Sequence, residues 1–330
     1  MTKFIRRLQK IGSSILVSLP KEWIDSNNLG KSSEVEIETG QNSLSISANK
    51  ESKPSKEVVI SYPLPKEENI VANITGAYLL GYDIIRIKGK PTIPIEDREK
   101  IRESMRRLVG VEIVEEESSN INIQFLLDAT TLDPKKILKR MSTIAIGMFN
   151  ETLDGLVLDD KTNLQTMPNR DDEINRQYFL LVRLIRSTMV DRRLASVFNM
   201  ENIDVLDYRI AANLLEIAGD TIVELATLLS HTSVSKNDLK KIYTITKNTE
   251  DIYKKSIDAF ITNDRLLAID AINLYKDYLK KISELRSSLE HKKQIPIDFL
   301  DIVYMFERIA KSWADILDLI KPIYNQKILQ

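Results

Sequence analysis

From Asp133 to the end of the chain, apolar residues recur at helical spacing with almost no interruption. This pattern constrains the fold most, because helices with an apolar stripe must pack together to bury it. Helices are predicted at 134–158, 169–190, 203–230, 236–261, 264–290 and 296–322. Their short connections are typical of up-and-down bundles. In the third segment we expect one stripe to face the core, formed by Ile203, Leu206, Ile210, Leu214, Ile217, Leu225 and Leu228.

The first 127 residues instead alternate short strand and helix signals. Residues 1–48 are predicted to form short strands, at 3–8, 13–19, 34–38 and 44–46, around a short helix that begins at Pro20. The polar, proline-containing stretch at 49–56 is interpreted as a linker. Residues 57–127 are predicted to form a small α+β layer of ferredoxin-like type, with helices on one face of a sheet. No motif assigns a chemistry to this layer.

Composition excludes several classes of function. The 330 residues are 43% hydrophobic and 29% charged, which excludes a wholly disordered chain. The absence of cysteine excludes disulfide scaffolds, thiolate metal sites and cysteine nucleophiles. The chain has two histidines, His231 and His291, which excludes a three-histidine zinc site. There is no apolar leader and no run of about 18 apolar residues, so we expect a cytosolic protein.

The N-terminal part is basic, although the whole chain has a net charge of −1. Residues 1–31 contain six basic and two acidic side chains, a net charge of +4. A compact basic module on a neutral body is typical of a nucleic-acid interface. The candidates for contacts with DNA phosphates are Lys3, Arg6, Arg7, Lys10, Ser13, Ser14 and Lys21. From charge alone, a solvated basic edge without a partner is an equal alternative.

The third predicted helix also carries a polar stripe, formed by Arg209, Asn213, Glu216, Asp220 and Glu224. The carboxylates of this stripe lie one turn apart on one helical face and repel one another. The start of the second predicted helix offers Asp171 and Asn175, where acidic residues also favour the helix dipole. Two interpretations stay open: the carboxylates hold a hard divalent cation, or they form a solvated face.

Part of this stripe resembles a known family. The segment Leu215-Glu-Ile-Ala-Gly-Asp-Thr-Ile-Val-Glu-Leu-Ala226 resembles the signature of the PhoU phosphate-regulator family, and residues 170–178 resemble the acidic segment that precedes it. A second repeat is recognisable at 306–313. The resemblance implies an all-α pair of three-helix bundles. It also implies a site for a divalent ion or iron in the first bundle, with Asp171, Asn175, Glu216 and Asp220 as ligands.

The second repeat departs from the family pattern. Lys311 replaces the closing aspartate after Glu307, and Lys276 and Lys280 fall near the expected position of the other acidic motif. Because a lysine ammonium repels cations, metal binding is expected only in the first bundle. In the second bundle we expect an i,i+4 pair between Glu307 and Lys311. An alternative is that the lysines pair with acidic residues across the bundle.

The N-terminal module resembles a second family. Residues 6–23, which include Gly12-Ser-Ser-Ile-Leu-Val-Ser-Leu-Pro20, and residues 29–37 resemble a SpoVT-AbrB domain. The resemblance implies a swapped-hairpin dimer that binds double-stranded DNA through basic residues of the paired hairpins. A module of about 48 residues has a thin core, so obligate dimerisation is a sensible means of stabilising it. The alternative is a dimerisation module that does not bind DNA.

Together these features predict a multidomain, homodimeric regulator without enzymatic activity. It would combine a SpoVT-AbrB-like domain (1–48), an α+β layer (57–127) and two PhoU-like three-helix bundles (133–232 and 236–322). By resemblance it would regulate phosphate uptake and have phosphate-transporter or signalling proteins as partners. The alternative is an adaptor for a phosphate transporter or kinase, in which the N-terminal module only dimerises. A metal-dependent hydrolase is disfavoured, because no base–nucleophile pair accompanies the carboxylates.

Overall fold

A computed structural model describes residues 3–39, 44–48, 55–158, 161–289 and 294–320. The chain divides into two compact units, Met1–Ser55 and Lys56–Gln330. Most of the predicted linker at 49–56 lies outside the described residues, as does His291.

The first unit consists of two small antiparallel ribbons and one short helix. Strands β1 (Gln9–Ile11) and β2 (Ser14–Leu16) form a hairpin, helix α1 spans Lys21–Ser26, and β3 (Val35–Thr39) pairs with β4 (Leu44–Ala48). Gly12 turns the hairpin with a left-handed φ of 61°, which glycine adopts without steric cost. The predicted strand at 3–8 is wrong, because these residues find no partner strand in the described part of the chain. The strand predicted at 13–19 is shortened to 14–16 for the same reason.

The described residues of this unit form no buried core. None of its described side chains is buried. The large apolar side chains that are exposed are Phe4, Ile5, Leu8, Ile11, Ile15, Leu16, Val17, Ile37 and Leu44. So much exposed apolar surface on so short a segment is typical of a surface that another protein covers.

The second unit begins with the α+β layer. Its elements are β5 (Glu57–Tyr62), α2 (Ile70–Leu79), β6 (Ile84–Gly89), α3 (Ile95–Arg106), β7 (Val111–Glu116) and β8 (Asn120–Phe125). The strand order is β5-β6-β8-β7, with β5 and β6 parallel and the other pairs antiparallel. Isoleucines of alternate strand positions, such as Ile87 and Ile123, pack with Ile74 and Ile101 of the helices into one core. The expected α+β layer is present, but its element order differs from the β-α-β-β-α-β order of a ferredoxin-like fold.

The rest of the second unit is helical. Its helices are α4 (Pro134–Asp154), α5 (Met167–Val190), α6 (Arg192–Val197), α7 (Asn202–His231), α8 (Lys236–Thr246), α9 (Glu250–Thr262), α10 (Arg265–Ser287) and α11 (Ile297–Ile316). They share one continuous core, in which Tyr253 stacks on Trp313 at 4.4 Å and Phe149 meets Phe306 edge to face. This arrangement confirms the predicted all-α fold. No helix in the described part of the chain combines the length and the apolar character needed to cross a membrane.

The helix predicted at 236–261 is two helices, α8 and α9. The Thr249 hydroxyl donates to the carbonyl of Thr246 at 2.8 Å, and the Thr249 amide donates to the same carbonyl at 2.9 Å. Because the Thr246 carbonyl accepts these two local bonds, the regular i→i−4 hydrogen bonding of the helix is interrupted at 247–249.

The stripe expected to face the core on α7 is wrong in its first half. Ile203 and Leu206 are 48% and 54% exposed, whereas Ala211, Ala218 and Gly219 are buried. Helix α7 packs against α4, α5 and α11, and small side chains let these neighbours approach closely. The buried face of α7 also holds Leu215, Ile222 and Leu229, so it is rotated from the predicted stripe and combines large apolar residues with small ones.

Candidate DNA interface and carboxylate cluster

The predicted DNA-contacting residues all lie exposed on the first unit. Lys3, Arg6 and Arg7 lie in the extended segment before β1, and Lys10 lies on β1 itself. The two serines follow Gly12 at the hairpin turn, and Lys21 begins α1. The Arg6 guanidinium lies 5.5 Å from the Phe4 ring centre. None of these cations forms an ion pair with a described residue, so their charges are available to an anionic partner.

The predicted carboxylate site is assembled by two neighbouring helices. Asp171 and Asn175 lie on α5, and Glu216 and Asp220 lie on α7, which packs against it. Asp171 is 8% exposed and accepts a hydrogen bond from the Asn175 amide at 2.9 Å. Its Oδ1 atom faces Gly219 and has no hydrogen-bond partner among the described residues. The structure therefore brings the four residues together and leaves one buried acceptor unsatisfied.

Burial and mutual repulsion raise the pKa of the carboxylates in this cluster. Burial, and then the carboxylates of Asp220 and Glu216, raise the pKa of Asp171 to about 7, against an opposing hydrogen bond from Asn175. Burial and Asp220 also raise the pKa of Glu216, although Arg209 opposes this. Burial and Glu224 raise the pKa of Asp220 in the same way. The repulsion inferred from the sequence is thus present in the folded helices.

Comparisons with known proteins identify the domain that holds this cluster. The family model "PhoU domain" matches residues 138–229. The chain carries a PhoU domain. The family model "Antidote-toxin recognition MazE, bacterial antitoxin" matches residues 8–53, over most of the first unit. The expected PhoU domain is therefore confirmed, as is an AbrB-like domain of the MazE type at the N-terminus.

Two solved PhoU structures align with the chain. PhoU from Pseudomonas aeruginosa is 18% identical over 58% of this chain and 95% of its own, with a TM-score of 0.47. The phosphate transport system regulatory protein PhoU from Streptococcus pneumoniae is 16% identical over 57% of this chain and 91% of its own, with a TM-score of 0.45. No curated protein matches the chain.

The carboxylates of the PhoU domain are candidate metal ligands, because the resemblance implies a metal there. Among the described residues, no group of three or more His, Cys, Asp or Glu side chains is placed to hold a metal ion. Asn175 turns its amide nitrogen, a donor, towards Asp171. We therefore derive no chemistry from a metal here, and the metal expected by resemblance stays a prediction.

The helices after the matched PhoU domain satisfy their acidic residues differently. Both terminal nitrogens of Arg286, on α10, donate to the carboxylate of Glu307, on α11, and one of these bonds is 3.0 Å long. Lys311 donates to Asp315 at 2.8 Å. The expected Glu307–Lys311 pair is therefore wrong, because each residue has a better-placed partner. Lys276 and Lys280 form no ion pair within the described residues.

One buried cation was not predicted from the sequence. Arg183, on α5, is 3% exposed and lies 3.9 Å from the Phe125 ring. It donates to the carbonyls of Tyr78 and Tyr82, both at 2.8 Å, and to Asp83 at 2.9 Å. A helix of the PhoU domain is thereby fastened to the α+β layer. The sequence feature that could have indicated a buried cation is the arginine inside the apolar run Phe179-Leu-Leu-Val-Arg-Leu-Ile185.

Proposed function

We propose that this protein is a homodimeric transcriptional regulator of phosphate uptake. Its N-terminal unit would bind double-stranded DNA, and its PhoU domain would respond to phosphate status through a transporter or signalling protein. The combination of a MazE-like domain and a PhoU domain supports a regulatory role rather than catalysis. The observation that carries the proposal is the surface of the first unit, where cations without an ion pair to any described residue lie on the same unit as exposed apolar strands.

The positive charge of the first unit suits duplex DNA when two copies of the unit form a dimer. Residues 1–31 carry a net charge of +4. A two-fold dimer doubles this charge on one molecule, which suffices for several phosphate contacts. The apolar side chains exposed on the same unit supply a surface through which two copies can associate.

The salt dependence of duplex binding tests this proposal. Each phosphate contact lowers the logarithm of the affinity by about 0.9 per logarithm of salt concentration. We expect the double variant Arg6→Ala/Arg7→Ala to bind duplex DNA more weakly and to make that slope shallower by up to about 3.6, because each dimer loses four cations. A matched control, Lys240→Ala/Lys247→Ala, removes two exposed cations of the second unit and should leave the slope unchanged. Fluorescence anisotropy over a salt series measures both.

Genome-wide DNA occupancy in phosphate-rich and phosphate-starved cells tests the regulatory part. We expect occupied sites near phosphate-uptake genes, with occupancy that changes with phosphate supply. Wild-type protein without duplex binding at low salt would overturn the regulator proposal and favour the adaptor. DNA occupancy that does not change with phosphate supply would show that the first unit binds DNA but is not controlled by phosphate.

A further inference from the structure

Hydroxyl groups gather at the interruption between α8 and α9, inside the core of the helical region. Thr246 is the last residue of α8, and Thr249, Tyr253 and Ser256 follow at spacings that place them on one face of α9. Tyr278 comes from α10, which packs against α9. None of these five residues is more than 3% exposed. Their hydroxyls lie away from bulk solvent, so each needs a hydrogen-bond partner inside the protein.

Three of these hydroxyls have no hydrogen-bond partner among the described residues. They belong to Tyr253, Ser256 and Tyr278. Burial raises the pKa of both tyrosine hydroxyls, so they stay protonated and act as donors. A buried donor that makes no hydrogen bond is costly. The two tyrosines therefore present donors that the described side chains leave unsatisfied.

The Tyr253 hydroxyl is fixed in place by the packing of its ring. The ring stacks on Trp313 with centroids 4.4 Å apart, and it meets Phe149 edge to face at 4.9 Å. Trp313 is held in turn, because its ring nitrogen donates to the hydroxyl of Ser142 at 3.2 Å. A phenol oxygen lies on the axis of its ring, and a closely packed core leaves the ring little freedom to shift. The hydroxyl therefore cannot swing towards another side chain.

Two threonine oxygens near the tyrosines can accept hydrogen bonds. Thr246 donates its hydroxyl hydrogen to the carbonyl of Ile242, and Thr249 donates its own to the carbonyl of Thr246, both at 2.8 Å. Each threonine oxygen keeps lone pairs that can accept. Against the larger effect of burial, Thr246 lowers the pKa of Tyr278 and Thr249 lowers that of Tyr253, so these oxygens lie near the phenols. Neither phenol forms a direct hydrogen bond with them.

The two phenols also lie close enough to interact. Burial, and then Tyr253, raise the pKa of Tyr278. Together with the two threonines, the phenols offer two donors and two acceptors, and none of the four side chains is charged. An ion among them would be buried without a counter-charge, which is far more costly than burying a neutral molecule. Water is neutral, accepts two hydrogen bonds and donates two, so it satisfies this set.

We propose that an ordered water molecule is bound at the interruption between α8 and α9. It would accept hydrogen bonds from Tyr253 and Tyr278 and donate to the hydroxyl oxygens of Thr246 and Thr249. The water would thereby link α10 to both helices at the point where their regular hydrogen bonding stops. This inference is independent of the proposed DNA binding, because it uses no residue of the first unit or of the carboxylate cluster.

A crystal structure of the full-length protein, at a resolution that shows ordered water, tests the proposal directly. We expect a water peak about 2.5 to 3.0 Å from the hydroxyl oxygens of both Tyr253 and Tyr278. A map without a peak that joins these two oxygens would overturn the proposal. So would a direct hydrogen bond from either phenol to the other or to a threonine.

Urea denaturation tests the same site in solution. Tyr253→Phe and Tyr278→Phe each remove one donor to the water, so each should raise the equilibrium constant of unfolding about threefold to tenfold. Because both hydroxyls bind one water, the double variant should raise this constant by less than the product of the two single factors. Single factors that multiply would show two independent hydroxyls and would overturn the proposal.

Tyr304→Phe is the matched control, because Tyr304 is 56% exposed on α11. It should leave the equilibrium constant of unfolding unchanged, and its effect should multiply with that of Tyr278→Phe. Far-ultraviolet circular dichroism should show that all the variants fold. If a variant at Tyr253 or Tyr278 does not fold, the crystal structure of the wild type decides the proposal.

Discussion

Two buried charged residues have opposite effects at neutral pH. Arg183 is surrounded by acceptors and stabilises the contact between the PhoU domain and the α+β layer. Asp171 is surrounded by other carboxylates, and one of its oxygens has no partner among the described residues. Burying any charge costs free energy. Whether a buried charged residue stabilises the fold therefore depends on the groups that face it.

Asp171 should make the stability of the protein depend on pH. Its pKa in the folded state, about 7, lies above its ordinary value of 3.8. Between these values the folded state keeps a proton that the unfolded state has released, so the free energy of unfolding falls as pH rises. Protonated Asp171 therefore gives the protein its full stability below pH 3.8, and this stability is lost as pH rises to about 7. We expect Asp171→Asn to be more stable than the wild type by about 2 kcal/mol at pH 8, and to lose this advantage towards pH 4.

Urea denaturation at several pH values between 4 and 8 measures this difference. Asp172→Asn is the matched control, because Asp172 is the exposed neighbour on the same helix. Parallel stability curves for the wild type and Asp171→Asn would show that Asp171 is ionised in the folded protein throughout this range.

Arg183 should be among the most sensitive positions of the second unit. Arg183→Met keeps an apolar stem but removes the hydrogen bonds to two carbonyls and the ion pair with Asp83, although Asp83 keeps the amide of Lys56 as a donor. We expect it to lower the free energy of unfolding by about 2 to 3 kcal/mol, because Arg183 is buried but the carboxylate of Asp83 stays partly solvated. Arg186→Met, one turn nearer the helix end, removes an exposed guanidinium with a single contact of 3.5 Å and should cost far less. Chemical denaturation of both variants compares them, and equal losses would contradict the role given to Arg183.

At the scale of elements, the sequence pattern predicted most of the helices and strands, but it predicted the wrong buried face for the first half of α7. Large apolar residues such as Leu206 dominate a periodicity argument, yet Ala211 and Gly219 face the neighbouring helices of α7. The approach of Asp171 to Glu216 and Asp220 was expected from the resemblance to the PhoU family, since spacing along one helix does not show which residues of another helix lie beside it. The role of Arg183 was not, because it depends on the docking of a layer far away in sequence.

The two acidic sites should respond oppositely to neutralisation. Glu216 and Asp220 repel each other, whereas Glu307 binds Arg286 through two hydrogen bonds. In the presence of a chelator, we expect Glu216→Gln/Asp220→Asn to raise the free energy of unfolding and Glu307→Gln to lower it, each by about 1 kcal/mol. Thermal melts measure both changes.

Metal analysis of the same variants tests whether Glu216 and Asp220 bind a divalent ion. If the purified protein holds a divalent ion, the ion should be absent from Glu216→Gln/Asp220→Asn and retained by Glu307→Gln. Equal metal contents in the wild type and the double variant would show that the carboxylates are a solvated or partner-facing surface.

At the scale of the whole molecule, the two units differ in how they are stabilised. The second unit buries aromatic and aliphatic side chains in a core of the α+β layer and in a large core among the helices. The first unit buries none of its described side chains. The proposed homodimer gives the first unit the core that one copy lacks.

A charge placed on the exposed apolar surface of the first unit should separate the dimer. Ile37 is 54% exposed in the single chain, so Ile37→Asp is tolerated in the monomer but buries an unpaired charge in a dimer. We expect sedimentation velocity to show a dimer for the wild type and a monomer for Ile37→Asp. Ile95→Asp, at a 78% exposed position of the second unit, should remain dimeric. A monomeric wild type would contradict the proposed assembly.

The missing core of the first unit also has a consequence for gene dosage. If two copies must meet before the unit folds, mass action sets the amount of folded unit. Well below the dissociation constant of the dimer, the concentration of assembled units rises with the square of the total protein concentration. Halving synthesis of the chain would then reduce operator occupancy about fourfold in that regime, so the cell would switch its target genes over a narrow range of expression.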